Sequence, residues 1–102
     1  MNELSRNKNS DNLKKRMGIK VNFGNCEFII NQLAAFLKEG DFSSSTDLIA
    51  AYISNSSKYK NQDEFAQAIG TTRQTLHRMF AHENVSLNIF FKAIERIYDD
   101  RD

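Results

Sequence analysis

The chain has 102 residues, with 14 Lys and Arg against 13 Asp and Glu, a formal net charge of +1 and no proline. That length fits one small domain and little more. The near-neutral balance gives no bulk attraction for polyanions, the lone Cys26 excludes an intramolecular disulfide or a thiolate metal cluster, and no apolar run approaches a membrane span.

Residues 1–24 predict a flexible basic arm. Arg6, Lys8, Lys14, Lys15, Arg16 and Lys20 stand there against Glu3 and Asp11, and large apolar residues are scarce before Ile19. The arm reads either as a disordered tail or as a segment that touches DNA phosphates once bound. It carries no apolar core of a signal peptide, so the expected location is cytoplasmic. Within it, Ile19 to Phe23 alternate apolar and polar, which allows a short strand at 19–23 if a second subunit supplies a partner.

Residues 25–102 predict a compact all-α domain, a bundle of about five helices. From Cys26 to Lys38 the stripe Ile29, Leu33, Phe36 and Leu37 has helical spacing, Gly40 ends the run, and Cys26 reads as a small buried hydrophobe. Ser43, Ser44, Ser45 and Thr46 are N-cap candidates for the next helix, with Asp47 in its first turn and Leu48, Ile49, Tyr52 and Ile53 on its inner face. Asn61 and Glu64 predict a capped start for a third helix that buries Phe65, Ala66 and Ile69. Gly70-Thr71-Thr72 then forms a turn, with Thr72 capping a helix from Arg73 to about Ala81 that buries Leu76, Met79 and Phe80. A last helix places Leu87, Phe90, Phe91, Ile94, Ile97 and Tyr98 on one stripe, read as core, and leaves Ile89 off it.

Residues 62–80 form the constellation that carries function. Two helices joined by a very short turn cross steeply. They need a small residue where they approach (Ala66), a residue tolerant of positive φ (Gly70), and apolar residues closing the angle from both sides: Phe65 and Ile69, then Leu76 and Met79. The second helix is left to expose Arg73, Gln74, His77 and Arg78, with no acidic residue in its first turn. Arg suits guanine O6 and N7, and Gln suits adenine N6 and N7. Helix N-termini suit phosphate, which makes Gln62 and Thr72 candidate backbone anchors.

The run NQDEFAQAIGTTRQTL resembles the helix-turn-helix of the lambdoid phage repressor and Cro family, shared by Xre-type bacterial regulators. The resemblance continues through SLNIFFKAIERI and covers roughly residues 46–98. It implies that Gln62 contacts phosphate, that Arg73, Gln74 and Arg78 face the bases, and that Thr72 caps the recognition helix beside the backbone. The family often has a glycine after that helix, where this chain has Ala81-His82-Glu83, and Glu83 is poorly suited to phosphate. LKEGDFSSSTDLIAAYI more loosely resembles the lead-in of addiction-module antidote proteins.

The expected function is therefore a sequence-specific DNA-binding transcriptional regulator. Double-stranded DNA is its expected partner, bound as a homodimer across two half-sites. The helix at 26–38 or the 19–23 segment is the expected dimer surface, and Ile89 is a further candidate. The rival readings are an antitoxin-like repressor that also binds a toxin, and a protein-binding adaptor on the same fold. His77 and His82 lie five apart, off a common helical face, and no nucleophile–base set can be drawn. No metal, cofactor or catalytic residue is expected.

Overall fold

The computed structural model describes residues 22–83 and 86–101, and among these it is an all-α globule of five helices with no strand. Most of the basic arm and of the 19–23 segment lies outside the described residues. Asn22 to Asn25 form a turn closed by the Asn25 N–H donating to the Asn22 carbonyl at 3.0 Å. Gly24 is required in that turn, because a Cβ there would lie 2.6 Å from the Asn55 carbonyl oxygen. This close approach seats Phe23 in the core at 2% exposure.

Helix α1 spans Cys26–Lys38 and is capped by the Asn25 side chain, which accepts from the Phe28 N–H at 2.9 Å. Ile29, Leu33 and Phe36 are buried as the stripe predicts, but Leu37 is exposed. Cys26 is only half-buried, and its sulfur lies 3.2 Å from the Tyr52 hydroxyl. It is a polar contact as well as a filler.

Helix α2 spans Phe42–Asn55 and begins earlier than the Ser43–Thr46 run suggests. Asp41 takes the cap instead, accepting from the Ser44 N–H at 3.0 Å. Ser44, Ser45 and Thr46 are then helical and buried. The Ser45 and Thr46 hydroxyls donate back to the carbonyls of Asp41 and Ser43 at 3.0 and 2.8 Å, so burial leaves them paired. Leu48 through Ile53 are all buried, which makes α2 the central helix rather than one with a single inner face.

Helices α3 (Gln62–Ala68), α4 (Arg73–Phe80) and α5 (Leu87–Asp99) complete the globule. The expected stripe on α5 is corrected. Phe90, Ala93 and Ile97 face the core, whereas Leu87, Phe91 and Tyr98 are 58%, 57% and 50% exposed. Apolar residues fill two adjacent arcs of this helix, and periodicity alone does not say which arc turns inward. Ile89, off the expected stripe, is half-buried and packs on the core.

A polar node fastens the end of α5. Asp100 is 8% exposed, and its Oδ2 accepts from the Tyr52 hydroxyl at 2.9 Å and the Tyr59 hydroxyl at 2.6 Å. Its carbonyl accepts from Lys58 Nζ at 2.6 Å, and Arg96 Nε donates to the Tyr59 hydroxyl at 2.8 Å. Burial, reinforced by hydrogen bonding to Asp100, pushes the Tyr59 phenol up to about 12. Burial likewise raises Tyr52, helped by its contacts with Cys26 and Asp100. Tyr59 also meets Phe65 edge-on at 5.0 Å between centroids, so the node is continuous with the apolar core beneath α3.

Candidate nucleic-acid interface

The Asn61 side chain caps α3 by accepting from the Glu64 N–H at 3.0 Å. Glu64 reaches back as expected, but to the Lys60 N–H at 3.0 Å rather than to the cap residue itself. At the other end, Gly70 has φ +78. The Thr71 N–H donates to the Ala66 carbonyl at 2.9 Å and the Gly70 N–H to Gln67 at 3.1 Å, a pair of bonds that ends α3 sharply. Thr72 then caps α4, its hydroxyl accepting from the Thr75 N–H at 3.2 Å. Residues 69–72 therefore suffice to turn the chain from one helix into the next, and Phe65, Ala66, Leu76 and Met79 close the angle at 1% exposure or less.

That packing decides which side of α4 faces out. With Leu76 and Met79 buried and Phe80 half-buried, Thr72, Arg73, Gln74, His77 and Arg78 are exposed together. The first-turn N–H groups of α4 have no acceptor within the helix, which adds positive potential at the end where Arg73 stands. Arg73 forms no ion pair among the described residues. Arg78 Nε lies 3.5 Å from Glu83 Oε1, with both side chains more than half exposed, so this contact contributes little and is easily exchanged for another anion.

Gln62 stands apart from this set. It is only 7% exposed at the start of α3, beside the exposed Asp63 and Glu64, so little of it is open to a ligand. Its type and position in the motif gave no sign of that burial.

His82 was not among the expected site residues. It takes φ +63 just after α4, the place where a glycine is usual. The Glu83 N–H donates to the Arg78 carbonyl at 3.0 Å and the His82 N–H to Met79 at 3.1 Å, so α4 ends in the same pattern of bonds as α3. The His82 ring meets Asp47 of α2 at 3.0 Å, which ties the far end of α4 to the central helix. Only the missing glycine at this place in the sequence hinted at it.

Among the described residues no cluster of His, Cys, Asp or Glu is suited to a metal ion, and no helix is long and apolar enough to cross a membrane. The chain matches no protein-family profile, no curated protein and no solved structure.

Proposed function

We propose that this protein is a sequence-specific DNA-binding transcriptional regulator that lays α4 in the major groove, and that it acts as a homodimer on two half-sites. The observation that carries this reading is the joint exposure of Arg73, Gln74, His77 and Arg78 on a short helix whose opposite side is locked into the core. Arg73 and Gln74 sit on the leading turn, where side chains reach base edges first. Arg78 lies further along the helix and reads a base or pairs a phosphate. The cap at Thr72 sets the helix end against the sugar-phosphate backbone. Gln62, 7% exposed, offers a phosphate little surface.

Selection of the tightest binders from random genomic fragments, at two salt concentrations, tests the proposal. A specific site should emerge, and Arg73→Ala should weaken it by about 1–3 kcal/mol while relaxing its sequence preference. Gln62→Ala should weaken all sequences alike and by less. If no fragment is enriched and Arg73→Ala behaves as wild type, groove reading is wrong and α4 serves a protein partner.

A further inference from the structure

Of the five large hydrophobic residues exposed among the described residues, three, Leu87, Phe91 and Tyr98, lie on the outer arc of α5. Leu87, Phe91, Ile94 and Tyr98 follow one another at spacings of four, three and four, a single ridge along one side of a helix. Three of the four are half or more exposed, and Ile94 is half-buried. At roughly 100 Å² of open surface for each of the exposed three, the ridge offers about 300 Å² per copy before its neighbours are added. Phe42, 44% exposed and with its ring 4.5 Å from that of Phe90, extends it. A patch of this size is in the range of the largest patch on an ordinary monomer, which is often functional, and it supplies about a third of the ~800 Å² per partner of a standard interface.

We infer that this ridge is a homodimer interface in which two α5 helices pair antiparallel about a two-fold axis between Phe91 and Ile94. The order of side chains is self-complementary in that arrangement and in no simple parallel one. Leu87 faces the second copy's Tyr98, and Phe91 faces the second copy's Ile94, so every layer sets one aromatic ring against one aliphatic side chain. A parallel pair would stack each residue on itself. Charge agrees with the pattern. Glu95 flanks the ridge and Lys92 lies further round the helix on the same side; both are exposed, and neither has an ion pair among the described residues. The two-fold brings each Lys92 within about 3 Å, along the helix axis, of the level of the other copy's Glu95, a register in which the long lysine side chains can reach across to form two symmetric ion pairs.

In this proposal the dimer surface lies on α5, whereas the sequence predicts it at 26–38 or 19–23. It supplies the second copy that the DNA reading calls for, yet it is tested without DNA, so the two can fail separately.

Sedimentation equilibrium of the full chain over a wide concentration series should show a monomer–dimer equilibrium. Phe91→Glu should raise the dimer dissociation constant at least about 30-fold, as expected for a central interface aromatic, with helical circular dichroism unchanged. Lys92→Glu and Glu95→Lys should each weaken the dimer several-fold by opposing like charges, and the double variant should recover it. The charge swaps leave the core untouched, so they remain decisive even if Phe91→Glu disturbs folding. A chain that stays monomeric, a dimer insensitive to Phe91→Glu, or a double swap no tighter than the single ones would each overturn the inference.

Discussion

Asp100→Ala is the substitution that probes the architecture most directly. It removes the acceptor shared by Tyr52 and Tyr59, at 2.9 and 2.6 Å, and leaves the Tyr52 hydroxyl its weaker contacts with the Cys26 sulfur, at 3.2 Å, and with Ser56. Hydrogen bonds to a charged group each contribute about 1.5–3 kcal/mol, so two of them set a gross loss of about 3–6 kcal/mol. Against this, the carboxylate no longer has to be desolvated. Arg96, whose Nε lies 3.6 Å from Asp100 Oδ1, has a side chain 42% exposed and can turn to water rather than stand unpaired in the core. The net loss is then about 2–3 kcal/mol. For a domain of this size that corresponds to a melting temperature lower by about 10–20 °C. Urea denaturation followed by far-ultraviolet circular dichroism measures it, with Tyr52→Phe combined in a double-mutant cycle to isolate the shared bond. Asp100→Asn keeps an acceptor and should lose about half as much. A loss below about 0.5 kcal/mol for Asp100→Ala, smaller than a single neutral hydrogen bond, would refute the view that this node fastens α5.

The same node makes stability depend on alkaline pH. Tyr59 has its phenol raised to about 12, so the folded chain keeps a proton that the unfolded one releases near 10. The resulting stabilisation is complete below pH 10 and is lost as pH rises through 12; the urea midpoint should fall across that window, and less steeply in Tyr59→Phe. At the end of α4, His82→Ala keeps the unfavourable φ and loses the contact with Asp47, so it should destabilise by about 1 kcal/mol, whereas His82→Gly relieves the backbone and should recover most of that in thermal melts. Gly24→Ala should cost about 1–3 kcal/mol in chemical denaturation, because its Cβ meets backbone that cannot yield without moving the end of α2. A neutral result there would mean that the turn at 22–25 shifts freely.

The parts of the molecule legible in the sequence are those where the decisive chemistry is local. Gly70, Thr72 and the apolar residues on either side specify the α3–α4 turn within a few positions of one another, and the turn forms as its residues require. The outward set on α4 follows from the same short stretch, since placing Leu76 and Met79 inside leaves Arg73, Gln74, His77 and Arg78 outside. Where several local answers compete, the reading slips. The serine run offered many caps, but Asp41 took the role because the central helix needed small side chains at its buried start. On α5 two apolar arcs compete, and only the packing of α1 and α2 decides between them. The Asp100 node joins residues 48 and 41 positions apart, and no pattern in an acidic stretch near Asp99 and Asp100 foretells that one carboxylate turns inward. His82 escapes for another reason: a residue that normally avoids positive φ is held there by a bond to Asp47, 35 positions earlier.

The position of that inward carboxylate also orders events during synthesis. The α3–α4 turn draws on neighbouring residues and can close as soon as they leave the ribosome. The Tyr52 and Tyr59 hydroxyls, however, wait for residue 100 before they gain their acceptor. A chain that has emerged into the nineties but not to residue 100 therefore holds its apolar core over two phenols that still lack the Asp100 carboxylate, with the buried arc of α5 not yet fastened. Growth past Asp100 supplies the last latch, so the step from a loose to a committed fold falls at the end of this stretch of chain rather than gradually along it.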